Sequence, residues 1–275
     1  MNHAAMLNML STGPGNQPVF SPRLEVKVGL LSDTGRHRNG NQDFCRWIRP
    51  EEPEKLENKG ILALICDGMG GHAAGEIASR AAAEIICRSY YESSRPPRAA
   101  LEEAFLVANR AIYITSQKQP HLNGMGTTCT TLVVHDGSAI LAQVGDSRLY
   151  LIRGSGIYLM SEDHSAVMEM VRRGMMSIEE ARRHEDKNII LRALGTQPEV
   201  IVSTWNHSFP VRDQDRFVLC SDGLYDLVTD DEIRKIVSEL EPQLASEQLI
   251  ALANDRGGYD NITAVVVICH SLKRS

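Results

Sequence analysis

A chain of 275 residues, 43% hydrophobic and 23% charged, can bury a full core, and one domain over 23–271 is expected rather than two small ones. The formal net charge of -6, with basic residues spread rather than massed, gives no general attraction to nucleic acid or acidic lipid, and no apolar run approaches the roughly 20 residues of a membrane span. Six cysteines lack metal-ligand spacing, and Cys66, Cys220 and Cys269 fall inside apolar runs as small buried hydrophobes, which fits a reducing cytoplasm.

In chain order, residues 1–22 hold Gly, Pro, Ser and Asn without the basic and apolar regions of a signal peptide, and read as a flexible leader. The alternation Leu24-Glu25-Val26-Lys27-Val28 predicts a half-buried strand over 24–30, and the run Ile61-Leu62-Ala63-Leu64-Ile65-Cys66 predicts a buried one. Two amphipathic helices follow, over 73–90 with Ile77, Ala81, Ala82, Ile85 and Ile86, and over 98–117 with Leu101, Phe105, Ala108 and Ile112. Strands over 128–134 and 139–144 flank His135-Asp136-Gly137-Ser138, an antiparallel hairpin with Asp-Gly in its turn. Further strands are expected over 147–153, 200–206, 216–220 and 263–269. Ser177 with Glu180 and Thr229 with Glu232 match capping boxes for helices over 178–184 and 230–239, and Ser246 is read as the cap of a last helix ending near Gly257-Gly258. The polar segment 163–194, with Met168, Met170, Met175 and Met176, reads as a flap over a site, its methionines either an adaptable peptide-contacting surface or core filling. Hairpins and helix pairs in alternating blocks favour antiparallel sheets covered by helices over a βαβ array.

Five aspartates stand at the ends of apolar segments. Asp67-Gly68 follows the run ending at Cys66, Asp222-Gly223 follows Phe217-Val218-Leu219-Cys220, and Asp43, Asp146 and Asp260 occupy similar junctions. A carboxylate at the mouth of a buried strand loses hydration and must be protonated, paired or metal-bound. Asp136-Gly137 shows that the dipeptide alone signals only a turn; its context carries the information. Hard oxygen donors suit Mg²⁺ or Mn²⁺ and disfavour zinc. Two such ions about 3.5–4 Å apart can activate a water for in-line attack on phosphorus without a side-chain nucleophile. The absence of a Gly-x-Ser-x-Gly elbow, a Cys-x5-Arg loop or a His-Glu-x-x-His stretch agrees with that, and the Gly-rich segment ending at His72 lacks the Lys-Ser/Thr of a nucleotide-binding loop.

Seven motifs appear in a definite order: Arg38-Asn39-Gly40-Asn41-Gln42-Asp43, Asp67-Gly68-Met69-Gly70-Gly71-His72, Gly126-Thr127-Thr128, Gly145-Asp146-Ser147-Arg148, Arg192-Ala193-Leu194-Gly195, Ser221-Asp222-Gly223 and Asp260-Asn261-Ile262-Thr263. In these the chain resembles the protein phosphatase 2C family, as a compact bacterial member, over roughly 24–270. The resemblance implies an α+β fold, a four-layer α/β/β/α sandwich of two antiparallel sheets flanked by helices. It implies hydrolysis of phosphoserine and phosphothreonine by a metal-bridged water, opposite a bacterial serine/threonine kinase, in a cytoplasmic protein expected as a monomer. Residue by residue, it makes Asp67 the bridging metal ligand and Gly68 a main-chain carbonyl ligand. Asp222 and Asp260 complete one sphere, Asp43 joins the second directly or through water, and Asp146 matches the ligand of a third, weaker metal. Arg38 matches the phosphate-binding arginine.

Each role has a plainer rival. An isolated Asp67 or Asp222 would be a turn or cap residue, Asp43 a turn start, Asp146 a partner of Arg148 or of a lysine, and Arg38 an exposed arginine. The proton donor is open: Met69 stands where eukaryotic relatives carry their proposed acid, and His72 is either a catalytic or water-organising group or a plain residue at a helix N-terminus. Two other functions compete. A non-catalytic phosphoprotein-binding regulator of this fold predicts loss of Asp67, Asp222 or Asp260, all of which are present. A phosphodiesterase or small-molecule phosphatase would use the same metals.

Overall fold

The computed structural model describes residues 24–71 and 73–272, so the leader expected over 1–22 lies outside the described residues. Five strands, β1 (Leu24–Asp33), β7 (Arg148–Arg153), β8 (Gly156–Leu159), β11 (Arg216–Cys220) and β12 (Ile262–Ser271), form one antiparallel sheet in the order β1-β12-β11-β7-β8. The second sheet runs β10-β6-β5-β3-β2, from β2 (Asp43–Ile48), β3 (Ile61–Met69), β5 (Cys129–His135), β6 (Ser138–Val144) and β10 (Phe209–Pro210). In it β4 (Gly126–Thr127) pairs with β3 and β9 (Ser203–Thr204) with β6. The hairpin turn sits where the sequence puts it: Asp136 and Gly137 both have positive φ, 45° and 68°, as a two-residue turn of the primed kind requires.

Both sheets are covered on both faces, which explains why their strands read as continuous apolar runs despite being antiparallel. Along β3, Ile61, Ala63 and Ile65 face the other sheet, while Leu62, Leu64 and Cys66 face the helices α2 (Ala73–Glu92) and α3 (Pro97–Lys118). On the far side, Phe217, Leu219, Val265 and Val267 enter the space between sheets, and Val218, Cys220, Val266 and Ile268 meet α7 (Asp230–Glu239) and α8 (Pro242–Asp255). Period-two alternation therefore sorts each strand between two cores and yields four layers, as expected. The short helix α1 (Pro53–Lys59) bridges β2 and β3. All six cysteines are free; Cys66, Cys220 and Cys269 are buried in these cores.

Three local expectations change. Ser246 is no cap: α8 begins at Pro242, whose fixed φ suits a first turn, and the buried Ser246 hydroxyl donates back to the Pro242 carbonyl at 3.0 Å. The strand over 200–206 shrinks to Ser203–Thr204, because the free edge of β6 is shared with β10, and Val200 and Val202 turn into the helix-side core. The Ser177 capping box starts a helix, α5 (Ile178–Ala181), that stops short of 184, the chain continuing in three-residue turns such as His184 N–H to the Ala181 carbonyl. The Thr229 box is present as read, at the start of α7.

Candidate active site

Antiparallel register places Asp43 directly opposite Asp67 at the ends of β2 and β3. From the other sheet come Asp222, opening the short helix α6 (Asp222–Tyr225), and Asp260, just before β12. Asp146 lies in the turn between β6 and β7, after Gly145 at φ 106°. The five share one electrostatic field. Burial first, then the charges of Asp43, Asp222, Asp146 and Asp260, push Asp67 well above the usual carboxylate range. Asp222 is raised in the same way by burial, then by Asp146, Asp260 and Asp43. Burial lifts Asp146 to about 7 and Asp43 to about 6.

Asp43 bears most directly on cation binding. Its Oδ2 accepts from Ser221 Oγ at 2.7 Å and Thr263 Oγ1 at 2.6 Å, yet its buried Oδ1 has no donor among the described residues, the Asp67 carboxyl being the group that bears on this side chain. An unsatisfied buried carboxylate oxygen beside Asp67 is an acceptor facing a place where positive charge belongs. Among the described residues no three His, Cys, Asp or Glu side chains close on one point.

Two of the Asp-Gly glycines are fixed by close approach rather than by a turn. A Cβ on Gly68 would lie 2.2 Å from the Gly75 carbonyl oxygen of α2, and one on Gly223 would lie 2.1 Å from the Asn261 carbonyl oxygen. Asn261 ties the neighbouring loop down: Nδ2 donates to the Thr34 and Gly40 carbonyls, both at 2.9 Å, and Oδ1 accepts from Gln42 N–H at 2.8 Å. That loop carries Arg38, whose Nη2 donates to Asp260 Oδ2 at 2.7 Å with the guanidinium about half exposed.

The protein phosphatase 2C profile matches residues 36–256. The chain belongs to the protein phosphatase 2C family. The serine/threonine phosphatase stp of Listeria monocytogenes is 36% identical over 242 residues, 86% of this chain and 93% of its own. The crystal structure of the Mycobacterium tuberculosis serine/threonine phosphatase PstP/Ppp superposes with a TM-score of 0.79 at 33% identity, covering 89% of this chain and 99% of that one. The catalytic domain of PstP in complex with two manganese ions gives a TM-score of 0.76 at 32% identity, covering 90% and 99%. This protein is accordingly a phosphoprotein phosphatase, a hydrolase, and its two antiparallel sheets flanked by helices are those of the bacterial enzymes.

In this phosphatase Asp43, Asp146, Asp222 and Asp260 all lie near enough for their charges to act on Asp67, and Gly68 follows Asp67 on β3. Arg38 is near them but held by Asp260. Arg148 forms its ion pair with Asp163, a bidentate one with 2.7 Å at the shorter contact, and lies over the Tyr225 ring, while its charge still acts on Asp146. His72 lies outside the described residues. The segment 163–194 holds α4 (Ala166–Arg172) and α5, and a cavity of about 260 Å³ between it and the body is lined by Asp146, Arg148, Met168, Lys187 and Tyr225. Met168 thus faces that cavity while Met175 is exposed to solvent. Ser221, Thr263 and Asn261 were missed as site residues. Their signal in the sequence is their place in Ser221-Asp222-Gly223 and Asp260-Asn261-Ile262-Thr263.

Proposed function

We propose that this phosphatase hydrolyses phosphoserine and phosphothreonine in proteins using two Mn²⁺ or Mg²⁺ ions, with a third more weakly held. The observation that carries this is the buried Asp43 oxygen without a donor among the described residues, beside a cluster of carboxylates raised by burial and then by one another's charge. Asp67, the Gly68 carbonyl, Asp222 and Asp260 would hold one cation, Asp67 with Asp43 the second, and Asp146 the third. Such cations supply Lewis-acid activation of water and neutralise phosphate charge. Support comes from the manganese in the related PstP structure and from the all-oxygen donor set. Arg38 would bind two phosphate oxygens with paired hydrogen bonds, leaving Asp260 to do so. His72 is kept as the candidate proton donor to the leaving oxygen. Residues 23–271 are taken as one catalytic domain with 163–194 as its flap, acting in the cytoplasm as a monomer opposite a serine/threonine kinase. The three cores shared across two sheets support the single domain.

Chelation is expected to abolish hydrolysis of a phosphothreonine peptide, and added Mn²⁺ to restore it. Asp67→Asn and Asp222→Asn should each lower kcat by orders of magnitude. Unaltered turnover in those variants would sink the metal mechanism.

A further inference from the structure

The helix α3 packs with the apolar stripe Leu101, Phe105, Ala108 and Ile112, and Asn109 interrupts that stripe at the position where Phe105 is four residues back. A buried amide there costs helix propensity and desolvation unless every polar atom is satisfied. Asn109, 2% exposed, has partners for all of it. Its Oδ1 accepts from Gly195 N–H at 2.8 Å, and its Nδ2 donates to the carbonyls of Gln197 at 3.1 Å and Pro198 at 3.3 Å.

The segment it grips is also bridged to β4, and that bridge leads to the carboxylates. Leu194 and Thr127 exchange both main-chain bonds, Thr127 N–H to the Leu194 carbonyl at 3.1 Å and Leu194 N–H to the Thr127 carbonyl at 2.8 Å. Thr127, opposite Gly68 in register, then shares its one Oγ1 proton between the carbonyls of Asp67 and Thr128, both at 2.9 Å, and Thr128 N–H donates to the Asp67 oxygen at 2.8 Å. On its other side the Asp67-Gly68 peptide donates its N–H to the Gln42 carbonyl at 3.1 Å. That peptide plane is held from both edges, and its orientation sets where the Asp67 carboxylate and the next carbonyl, that of Gly68, can point.

We propose that Asn109 is a positioning residue for cation binding, acting through Gly195, 86 residues away in sequence, and then through Leu194 and Thr127 on the Asp67-Gly68 peptide. The inference rests on the metal-ligand reading of Asp67 and Gly68. It gives a task to Gly126-Thr127-Thr128 and Arg192-Ala193-Leu194-Gly195, two motifs that the ligand set leaves idle. The proposed flap ends at 194, so the clamp also anchors its exit.

The test is Mn²⁺ binding itself, read from the free-ion electron paramagnetic resonance signal in the full chain, for wild type, Asn109→Asp, Thr127→Val, the double variant and Asp67→Asn. Asn109→Asp keeps the acceptor for Gly195 and loses the two donors, and Thr127→Val keeps the main-chain bridge and loses only the hydroxyl; both are nearly isosteric, and circular dichroism confirms which samples are folded. Each single variant is expected to weaken Mn²⁺ binding about tenfold, with the double variant weaker by less than the product of the two, because both changes act on one chain of contacts. The Michaelis constant for a phosphothreonine peptide at saturating Mn²⁺ stays near wild type. Folded variants that bind Mn²⁺ as tightly as wild type, or effects that multiply independently, would overturn the proposal. Asp67→Asn separates the two readings: if it binds Mn²⁺ like wild type, the ligand assignment fails, whereas if it loses binding while the Asn109 and Thr127 variants do not, only the positioning role fails.

Discussion

The neutral ring of His164 is held in one tautomer by the groups around it. Its Nδ1 accepts from Gly145 N–H at 3.0 Å, so the proton must sit on Nε2, which faces Ser203 Oγ at 2.9 Å. Burial, reinforced by the charges of Arg192 and Arg172, pushes the imidazole down to about 4. In the unfolded chain it titrates near 6.5. The folded state therefore binds this proton less readily, and the stability tied to the neutral ring is complete above about pH 6.5 and is lost as pH falls toward 4. In urea melts the stability gap between wild type and His164→Gln is expected to narrow by about 3 kcal/mol across that window. Parallel pH curves would show that the ring is not held neutral. Because His164 N–H also donates to the Gly145 carbonyl at 3.0 Å, the same residue steadies the turn that presents Asp146.

At the scale of elements, the approach of β3 to α2 decides how the first Asp-Gly is used. The strand and helix touch main chain to main chain at Gly68 and Gly75, so a methyl group there meets a carbonyl oxygen and the strand end must move. Gly68→Ala is expected to cost about 3 kcal/mol of stability in denaturant melts. Gly40→Ala, at a position with nothing within 4 Å of the added carbon, should stay within about 0.5 kcal/mol of wild type. Equal losses at the two positions would remove the close-approach explanation. The contrast with Gly137, where a positive φ demands glycine, separates three identical dipeptides by their surroundings.

For the whole molecule, the two sheets converge with their acids at one end, so the folded state carries a repulsion that an unfolded chain would relieve by separation. A cation bound there stabilises the fold by linkage, about 2.7 kcal/mol at a hundredfold excess over its dissociation constant. Thermal melts should rise by several degrees with Mn²⁺ in wild type and hardly at all in Asp67→Asn; an equal rise in both would place the stabilising ion elsewhere. How much of this was legible beforehand follows from range. The strands of 61–66 and 216–220, the hairpin at Asp136-Gly137 and the capping boxes at Ser177 and Thr229 rest on neighbours within a few residues, and the sequence by itself determined them. It also determined which acids stand at strand ends, because a charged residue closing an apolar run is a local pattern. Where local signals failed, a distant partner had taken over: Ser246 yielded to Pro242 at the start of a packed helix, and 200–206 yielded to competition for the edge of β6. Only the tertiary structure decided that Asp43 faces Asp67, that Ser221 and Thr263 satisfy one oxygen of Asp43 and leave the other bare, and that Asn109 reaches Gly195. Those contacts join residues dozens to hundreds of positions apart, and they depend on strand register and helix packing, which no local periodicity encodes.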